Sequence, residues 1–229
     1  MNLSKYKTII FDCDGVILNS NKIKTNAFYL AALPYGEGAA KELVEYHVLN
    51  GGVSRYKKFD HFLSVIVPRH CTAADQSPSR YGFSTMLEKL LDEYAGIVTK
   101  ELLACDIAEG LVELREESVT SKWLVASGGD QAELRTLFRA RGIADYFDSG
   151  IFGSPDTKEE IIKRETRKGN IDYPAVFLGD SRYDYEAASS AEMDFVYIRG
   201  WSEWRPEKSW LDSSGVSSFQ SLKGLLNEK

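Results

Sequence analysis

Five short apolar runs, each followed by a polar turn, constrain the fold more than any other feature of this 229-residue chain. The runs predict strands at residues 8–11, 123–126, 151–152, 175–178 and 195–198. Helix-like stretches follow or separate them at residues 109–117, 131–141, 158–168 and 184–191. Strands that alternate with helices favour a parallel sheet covered by helices on both faces. The sequence therefore predicts an α/β fold of three layers.

The segment between the first two runs has a different character. Residues 19–104 show amphipathic helical patterns and little strand signal, and residues 86–94 place four apolar side chains on one side of a helix. The simplest interpretation is an α-helical insert, residues 19–104, in a core made of residues 1–18 and 105–229. Within the insert, the patch CTAADQSPSRYG is expected to be a connecting loop.

Composition excludes several classes of function. The net charge of −6 argues against a broad nucleic-acid footprint, and three scattered cysteines are too few for a disulfide framework or a zinc cluster. No apolar run approaches the roughly 18 to 20 residues of a membrane span, and the N-terminus lacks a signal-peptide pattern. We expect a cytoplasmic monomer or homodimer that acts on a small molecule, without nucleic acid or membrane. His47, His61 and His70 lack metal-ligand spacing and are expected to be ordinary side chains.

Polar groups follow four of the predicted strands. The strand ends read, in chain order, DCDG, SGGD, GSPDTK and GDSRYD. Turn preference explains any one of them, because Asp, Ser and Gly are common turn formers. Ligands of open parallel sheets bind beyond the carboxyl ends of the strands, so the four together indicate a site for an anion, a metal ion, or both.

The stretch FDCDGVILNSN places two carboxylates, Asp12 and Asp14, on the same side of an extended chain. An aspartate such as Asp12 can attack a phosphate ester and form an acyl-phosphate that water later cleaves. Asp14 can then donate a proton to the leaving group and take one from the attacking water. A weak nucleophile that faces an anion needs a screening cation, and Mg²⁺ suits carboxylate and phosphate oxygens. Gly15 allows a tight turn behind the two acids.

The other strand ends complete the requirements of such a site. Ser127 and Gly128 offer a hydroxyl and backbone N–H groups to a phosphate, and Lys158 supplies a fixed positive charge. Asp180 would bind the metal ion, and Asp184 would be a further ligand or would orient the ligands.

These motifs together resemble the haloacid dehalogenase-like hydrolase superfamily, in particular its phosphoglycolate phosphatase and β-phosphoglucomutase branch. The four motifs stand in this chain as DCDGV, LVASGG, SPDTKEEII and GDSRYD, in the order of that superfamily and over nearly the whole length. The resemblance implies a Rossmann-like core with a helical cap, which the insert would form. It assigns the following roles: Asp12 as nucleophile and metal ligand, Asp14 as acid and base with its carbonyl on the metal, Ser127 and Lys158 as phosphate holders, Asp180 as metal ligand and Asp184 as its support.

Within the insert, residues 52–55 (GVSR) resemble a loop that β-phosphoglucomutase lowers over its sugar phosphate. By that analogy Arg55 would hold a distal polar or anionic group of the substrate, with Lys57 or Lys58 nearby. A solvated loop with ordinary surface cations is the alternative. Asn19 and Ser20 would touch substrate where core and cap meet, or would cap a helix.

Near the C-terminus, the segment RGWSEWRPEKSW is unusually aromatic. Trp201 and Trp204 are expected to pack over the sheet edge, although the cleft rim or a dimer contact are alternatives. The closing GVSSFQSLKGLL resembles the short strand and terminal helix at the end of many members of the superfamily.

The leading functional hypothesis is a Mg²⁺-dependent phosphatase that hydrolyses a small phosphorylated metabolite, with sugar phosphates as the first candidates. The alternative is a sugar phosphomutase similar to β-phosphoglucomutase, which only the GVSR loop favours. A non-catalytic binding module on the same fold is the third hypothesis. It is disfavoured because such a module should have lost site residues, and none is missing here.

Overall fold

A computed structural model describes residues 3–70 and 80–226 of the chain. Its six strands form one sheet, parallel throughout, in the order β3-β2-β1-β4-β5-β6. The strands are β1 (Thr8–Phe11), β2 (Lys122–Asp130), β3 (Ile151–Ser154), β4 (Ala175–Gly179), β5 (Asp194–Ile198) and β6 (Ser217–Phe219). The predicted α/β fold with a Rossmann-like parallel sheet is therefore confirmed, and the closing segment adds the sixth strand.

Eleven α-helices accompany the sheet in the described part of the chain. They are α1 (Asn21–Ala32), α2 (Glu37–Leu49), α3 (Arg55–His61), α4 (Val67–His70), α5 (Arg80–Ala104), α6 (Leu111–Glu117), α7 (Gln131–Ala140), α8 (Lys158–Arg167), α9 (Arg182–Ser190), α10 (Lys208–Ser214) and α11 (Leu222–Leu226). A π-helical turn, Phe62–Ile66, connects α3 to α4. Residues 71–79, which hold most of the predicted connecting loop, lie outside the described residues.

Strand β1 lies at the centre of the sheet and divides the core into two faces. Ile9 and Phe11 belong to a buried cluster with side chains of α6, α7 and α11, whereas Ile10 belongs to a second cluster with side chains of α8 and α9. This division follows from the alternation of side chains along a strand. Ile10 lies opposite Leu124 of β2 and Phe177 of β4, so the carboxyl ends of the three strands meet at one edge.

Helices α1 to α5 enclose a third hydrophobic cluster of their own, which includes Phe28, Leu43, Phe59 and Tyr94. The chain enters and leaves this helical layer at one place, where Leu18 bridges Ile107. This helical content is consistent with a cap over the core. The residue boundaries of core and cap, at 18/19 and 104/105, stay a prediction.

Trp201 and Trp204 both pack against buried clusters of the sheet layer, and Trp204 also lines the cavity described below, which is the cleft-rim alternative. Trp201 contacts the cluster that contains Ile9, and Trp204 contacts the cluster that contains Ile10. The Trp204 ring lies edge-on to Tyr197 at 5.1 Å and to Trp210 at 5.0 Å between ring centroids. In the part of the chain that the structure describes, no helix is long and apolar enough to cross a membrane.

Candidate active site

Asp12 is the residue directly after β1, and the sheet buries it. Its backbone N–H donates to the Leu178 carbonyl at 2.9 Å, and its side chain is 2% exposed. Oδ1 lies 3.0 Å from the Lys158 ammonium, but this oxygen has no directed hydrogen-bond partner among the described residues. Burial, reinforced by the charge of Asp184 and opposed by Lys158, raises the pKa of Asp12 to about 7. The side chain is thus a buried carboxylate with one oxygen available to a ligand.

Lys158 is the first residue of α8, and the start of that helix fixes its position. Thr157 and Glu160 form a capping box, in which the Thr157 hydroxyl accepts from the Glu160 N–H and the Glu160 carboxylate accepts from the Thr157 N–H. The Lys158 ammonium contacts both Asp12 and Asp184. Burial opposes the charged form, but these two carboxylates outweigh it and raise the pKa of Lys158.

Asp184 lies in the first turn of α9 and holds the loop after β4 in place. Its Oδ2 accepts from the Asp180 N–H at 3.1 Å, from the Ser181 N–H at 3.0 Å and from the Ser181 hydroxyl at 2.7 Å. Its Oδ1 accepts from Lys158. Both oxygens are therefore occupied, an arrangement that suits the orienting role considered for Asp184 better than the ligand role.

Asp14 is paired with a lysine that was not among the predicted site residues. The Lys24 ammonium, on α1, donates to Oδ2 at 2.5 Å, and the Ser20 hydroxyl donates to Oδ1 at 2.6 Å. Burial raises the pKa of Asp14, but Lys24 and Ser20 outweigh it and hold that pKa below its usual value. Ser20 occupies the N-cap position of α1 without a side-chain capping bond, so its hydroxyl serves Asp14 instead.

The acidic groups at this edge fit a divalent cation. Asp12, Asp180 and Asp184 are buried and each offers a carboxylate oxygen within 4.8 Å of the others. Four carboxylates face two ammonium groups: Asp12, Asp14, Asp180 and Asp184 against Lys24 and Lys158. Burial and the charges of Asp12 and Asp184 raise the pKa of Asp180 well above its usual value, as expected where a balancing cation belongs. The oxygen-only donor set is the one that Mg²⁺ prefers.

Asn21 and Gly15 shape the approach to Asp180. The Asn21 amide donates to Asp180 Oδ2 at 2.6 Å and to the Trp201 carbonyl at 2.9 Å. Gly15 has a φ of +75°, and a Cβ on it would lie 2.1 Å from Asp180 Oδ2. The tight turn predicted at Gly15 is therefore confirmed, and the close approach of Asp180 adds a second reason for glycine.

The end of β2 supplies the predicted phosphate-holding groups. Ser127 is fully buried, and its hydroxyl oxygen accepts from the Gly129 N–H at 3.1 Å. A Cβ on Gly128 would lie 2.1 Å from the Gly52 carbonyl oxygen. The GVSR loop of the helical layer therefore packs directly against this strand end.

Helix α3 joins the same contact through two side chains. The Arg55 guanidinium donates to both oxygens of Glu133 on α7, at 2.8 and 2.5 Å, and the Tyr56 hydroxyl donates to Asp130 at 3.0 Å. Arg55 Nε is buried without a hydrogen-bond partner among the described residues. The structure thus places Arg55 beside the site but pairs its terminal nitrogens with Glu133, and its contact with substrate stays a prediction.

A cavity of about 700 Å³ lies between the helical layer and the sheet edge. Asp12, Asp14, Gly128, Asp180 and Arg55 line it. The lining does not include the predicted site residues Ser127, Lys158, Asp184 and Asn19. The Asn19 amide donates to Asp106 at 3.2 Å. The wall also contains residues that the sequence analysis missed or gave no definite role: Asn21, Lys24, His47, Lys58, Glu133 and Glu203. Two of them had a sequence signal. Lys24 follows Ser20 by four residues, which is a helical spacing, and Lys58 lies near Arg55 in the segment that the GVSR resemblance indicated.

Comparison with known proteins agrees with the family that the sequence motifs resemble. A family model described as haloacid dehalogenase-like hydrolase matches residues 6–192, which is most of the chain. No curated protein is similar enough to the sequence to count as a match.

Solved structures share the fold at low identity. A predicted phosphoglycolate phosphatase from Haemophilus somnus is 19% identical, with a TM-score of 0.71 and 98% of each chain covered. A β-phosphoglucomutase from Clostridium difficile is 21% identical, with a TM-score of 0.69 over 96% of this chain and 92% of that one. A hydrolase from Pseudomonas syringae is 17% identical, with a TM-score of 0.70 and 96% of each chain covered. At these identities the likeness concerns the fold alone.

Proposed function

The chain belongs to the haloacid dehalogenase-like hydrolase family, and from that premise we propose that it is a Mg²⁺-dependent phosphatase of a small phosphorylated metabolite. The observation that carries the proposal is Asp12, a buried carboxylate whose Oδ1 has no directed hydrogen-bond partner among the described residues. It lies beside Lys158 and within reach of Asp180 and Asp184. This is the environment that an aspartate nucleophile for phosphate esters requires.

Binding of the phosphoryl group falls to the ends of β2 and α8. The Ser127 hydroxyl and the backbone N–H groups around Gly128 donate to its oxygens, and Lys158 neutralises part of its charge. Asp12, Asp180 and the Asp14 carbonyl would hold Mg²⁺, and the bound ion would supply further charge neutralisation on the phosphoryl oxygens. Asp184 contributes by fixing the backbone of Asp180 and Ser181.

The reaction then proceeds in two steps. In the first, an Asp12 oxygen forms a bond to phosphorus, the bond to the leaving oxygen breaks, and Asp14 gives that oxygen a proton. In the second, Asp14 takes a proton from water, the water oxygen attacks the phosphorus of the aspartyl-phosphate, and free phosphate leaves Asp12. Lys24 holds Asp14 as a carboxylate, the form that the second step needs. The first step requires a protonated Asp14, so Asp14 must take up a proton from water, and its contact with Lys24 must loosen, before the leaving group departs.

A sugar phosphomutase is the second candidate, and one observation favours it. The GVSR loop packs against Gly128, so a loop of the helical layer lies directly against the end of β2. A mutase must keep water from its aspartyl-phosphate while the intermediate turns round. Product analysis separates the two candidates, because a mutase yields an isomerised sugar phosphate without free phosphate.

The test of the proposed function is phosphate release from a panel of phosphate esters, including p-nitrophenyl phosphate, with Mg²⁺ present. We expect activity that chelation with EDTA abolishes and that Asp12→Asn lowers by at least about a thousandfold, because the amide cannot form the acyl-phosphate. Asp145→Asn is the matched control, since Asp145 is exposed and does not line the cavity. Full activity in Asp12→Asn would contradict the proposed mechanism.

A further inference from the structure

Lys58 is a buried cation of the cavity wall that has no counter-ion among the described residues. It lies on α3, lines the cavity and is 2% exposed. Two other buried or half-buried cations of the wall have carboxylate partners, since Lys24 has Asp14 and Arg55 has Glu133. Lys158, which lies outside the lining, has Asp12 and Asp184. No carboxylate within the described ranges lies within 4.0 Å of the Lys58 ammonium.

A chain of hydrogen bonds holds the Lys58 ammonium in place. Its Nζ lies 2.7 Å from His47 Nδ1, and His47 Nε2 lies 3.1 Å from the Thr25 hydroxyl. That hydroxyl donates to Glu203 at 2.9 Å. Because a carboxylate only accepts, the Thr25 oxygen must accept from His47 Nε2–H, and Nδ1 must then accept from Lys58.

This direction leaves the ammonium with unused donors. One N–H is committed to His47 Nδ1, and the contact with the His47 carbonyl at 3.4 Å is weak. Burial, and then the charge of Lys24, lower the pKa of Lys58 to about 7, while Asp14 and Glu203 oppose this and Lys158 adds to it. A cation in this position gains most from an anion, since an anion supplies both a counter-charge and a hydrogen-bond acceptor.

We propose that Lys58 binds a second acidic group of the substrate, so that the substrate is a phosphate monoester that also carries a carboxylate or a second phosphate. The scissile phosphate is the one assigned above to Asp12 and Lys158, and in that respect this inference rests on the proposed function. A cavity of about 700 Å³ has room for a sugar-sized body between the two acidic groups.

Neighbouring cations are less suited to this role. Both terminal nitrogens of Arg55 donate to Glu133, and Lys57 is exposed outside the cavity. His47 cannot supply the charge, because burial and the charges of Lys58 and Lys24 lower its pKa well below its usual value. His47, Thr25 and Glu203 are therefore positioning residues for Lys58.

Calorimetric binding to an Asp12→Asn variant with Mg²⁺ tests the proposal without turnover. Three probes share a six-carbon body: glucose 6-phosphate, 6-phosphogluconate with its carboxylate, and glucose 1,6-bisphosphate with its second phosphate. We expect at least one of the two diacidic probes to bind about tenfold more tightly than glucose 6-phosphate. Which of the two gains more identifies the second group as carboxylate or phosphate.

Adding Lys58→Met, which keeps the volume and removes the charge, should abolish that preference and leave glucose 6-phosphate binding within about twofold. Lys58→Gln is the second variant, thermal unfolding verifies that both fold, and Lys57→Met is the matched control. Equal binding of the three probes, a preference that survives in both Lys58 variants, or no binding of any probe would each overturn the proposal. Phosphate release from p-nitrophenyl phosphate by the wild type tests the proposed function separately.

Discussion

Lys24 and Lys58 both line the cavity, yet the surroundings of Lys24 stabilise its positive charge and those of Lys58 destabilise it. Burial disfavours the charge of each, but Asp14 lies against Lys24 and raises its pKa, whereas the pKa of Lys58 falls to about 7. The difference is one carboxylate at hydrogen-bond distance. At the scale of residues, the counter-ion rather than burial decides the protonation state of a cavity lysine.

The low pKa of Lys58 has a consequence for stability. Between pH 7 and pH 10.5 the unfolded chain keeps a proton on Lys58 that the folded chain has released, so stability rises with pH across that window. Lys58→Met removes this penalty. We expect a free energy of unfolding that is about 1 to 4 kcal/mol higher than wild type at pH 7, with the gain reduced to less than about 1 kcal/mol at pH 10.

Urea unfolding at the two pH values measures this difference. The groups that face Lys58 are Lys24, His47, Asp14, Lys158 and Glu203. Lys57→Met controls for the loss of one lysine charge on the same helix. A Lys58→Met variant that is less stable than wild type at pH 7, or a gain that does not shrink with pH, would contradict the assignment.

Local sequence patterns predicted the positions of the strands, but they did not predict how some strands and helices end. The predicted run 123–126 continues in the structure to Asp130, because the polar SGGD backbone still pairs with β3, where Asp130 lies opposite Ser154. Ser20 stands at a helix start, but its hydroxyl donates to Asp14 instead of capping α1. In both cases a partner distant in sequence outweighed the local preference, and a single sequence does not reveal such partners.

The Arg55–Glu133 pair links α3 of the helical layer to α7 of the core, and the strength of this pair can be measured. The guanidinium is nearly buried and the carboxylate is 46% exposed, so solvent weakens the attraction only in part. A double-mutant cycle with Arg55→Met and Glu133→Gln should give a coupling of about 1 kcal/mol in urea unfolding.

The control for that cycle is Arg182 with Glu186, an exposed pair within α9 at a similar N···O distance of 2.8 Å. Its coupling should be much smaller, since both side chains are mostly in solvent. Equal coupling energies for the two pairs would mean that Arg55 and Glu133 do not hold α3 against α7.

The whole molecule shows which parts of a site one sequence can predict. Carboxyl ends of parallel strands meet at one edge, so the four strand-end motifs could be placed together before any contact was known. Lys24, His47 and Lys58 come from three different helices, and Glu203 follows β5. Packing of these helices on one another brings the first three residues together, and packing of the helical layer on the core adds Glu203.

Divalent metal should stabilise the folded chain as a whole. Without bound metal, burial and the neighbouring carboxylates keep the pKa of Asp180 high. The cluster of carboxylates at the sheet edge therefore lowers the free energy of unfolding. At about 100 times the dissociation constant, Mg²⁺ should add about 2.7 kcal/mol and raise the melting temperature by about 5 to 10 °C.

Asp180→Asn should lose most of this rise. Without Mg²⁺, however, the variant should be at least as stable as wild type, because one of the mutually repelling carboxylates is gone. Thermal unfolding with and without Mg²⁺ measures both effects, with Asp145→Asn as the matched exposed control. An Asp180→Asn variant that Mg²⁺ stabilises as fully as wild type would place the cation elsewhere, since a ligand of the cation cannot be removed without weakening its binding.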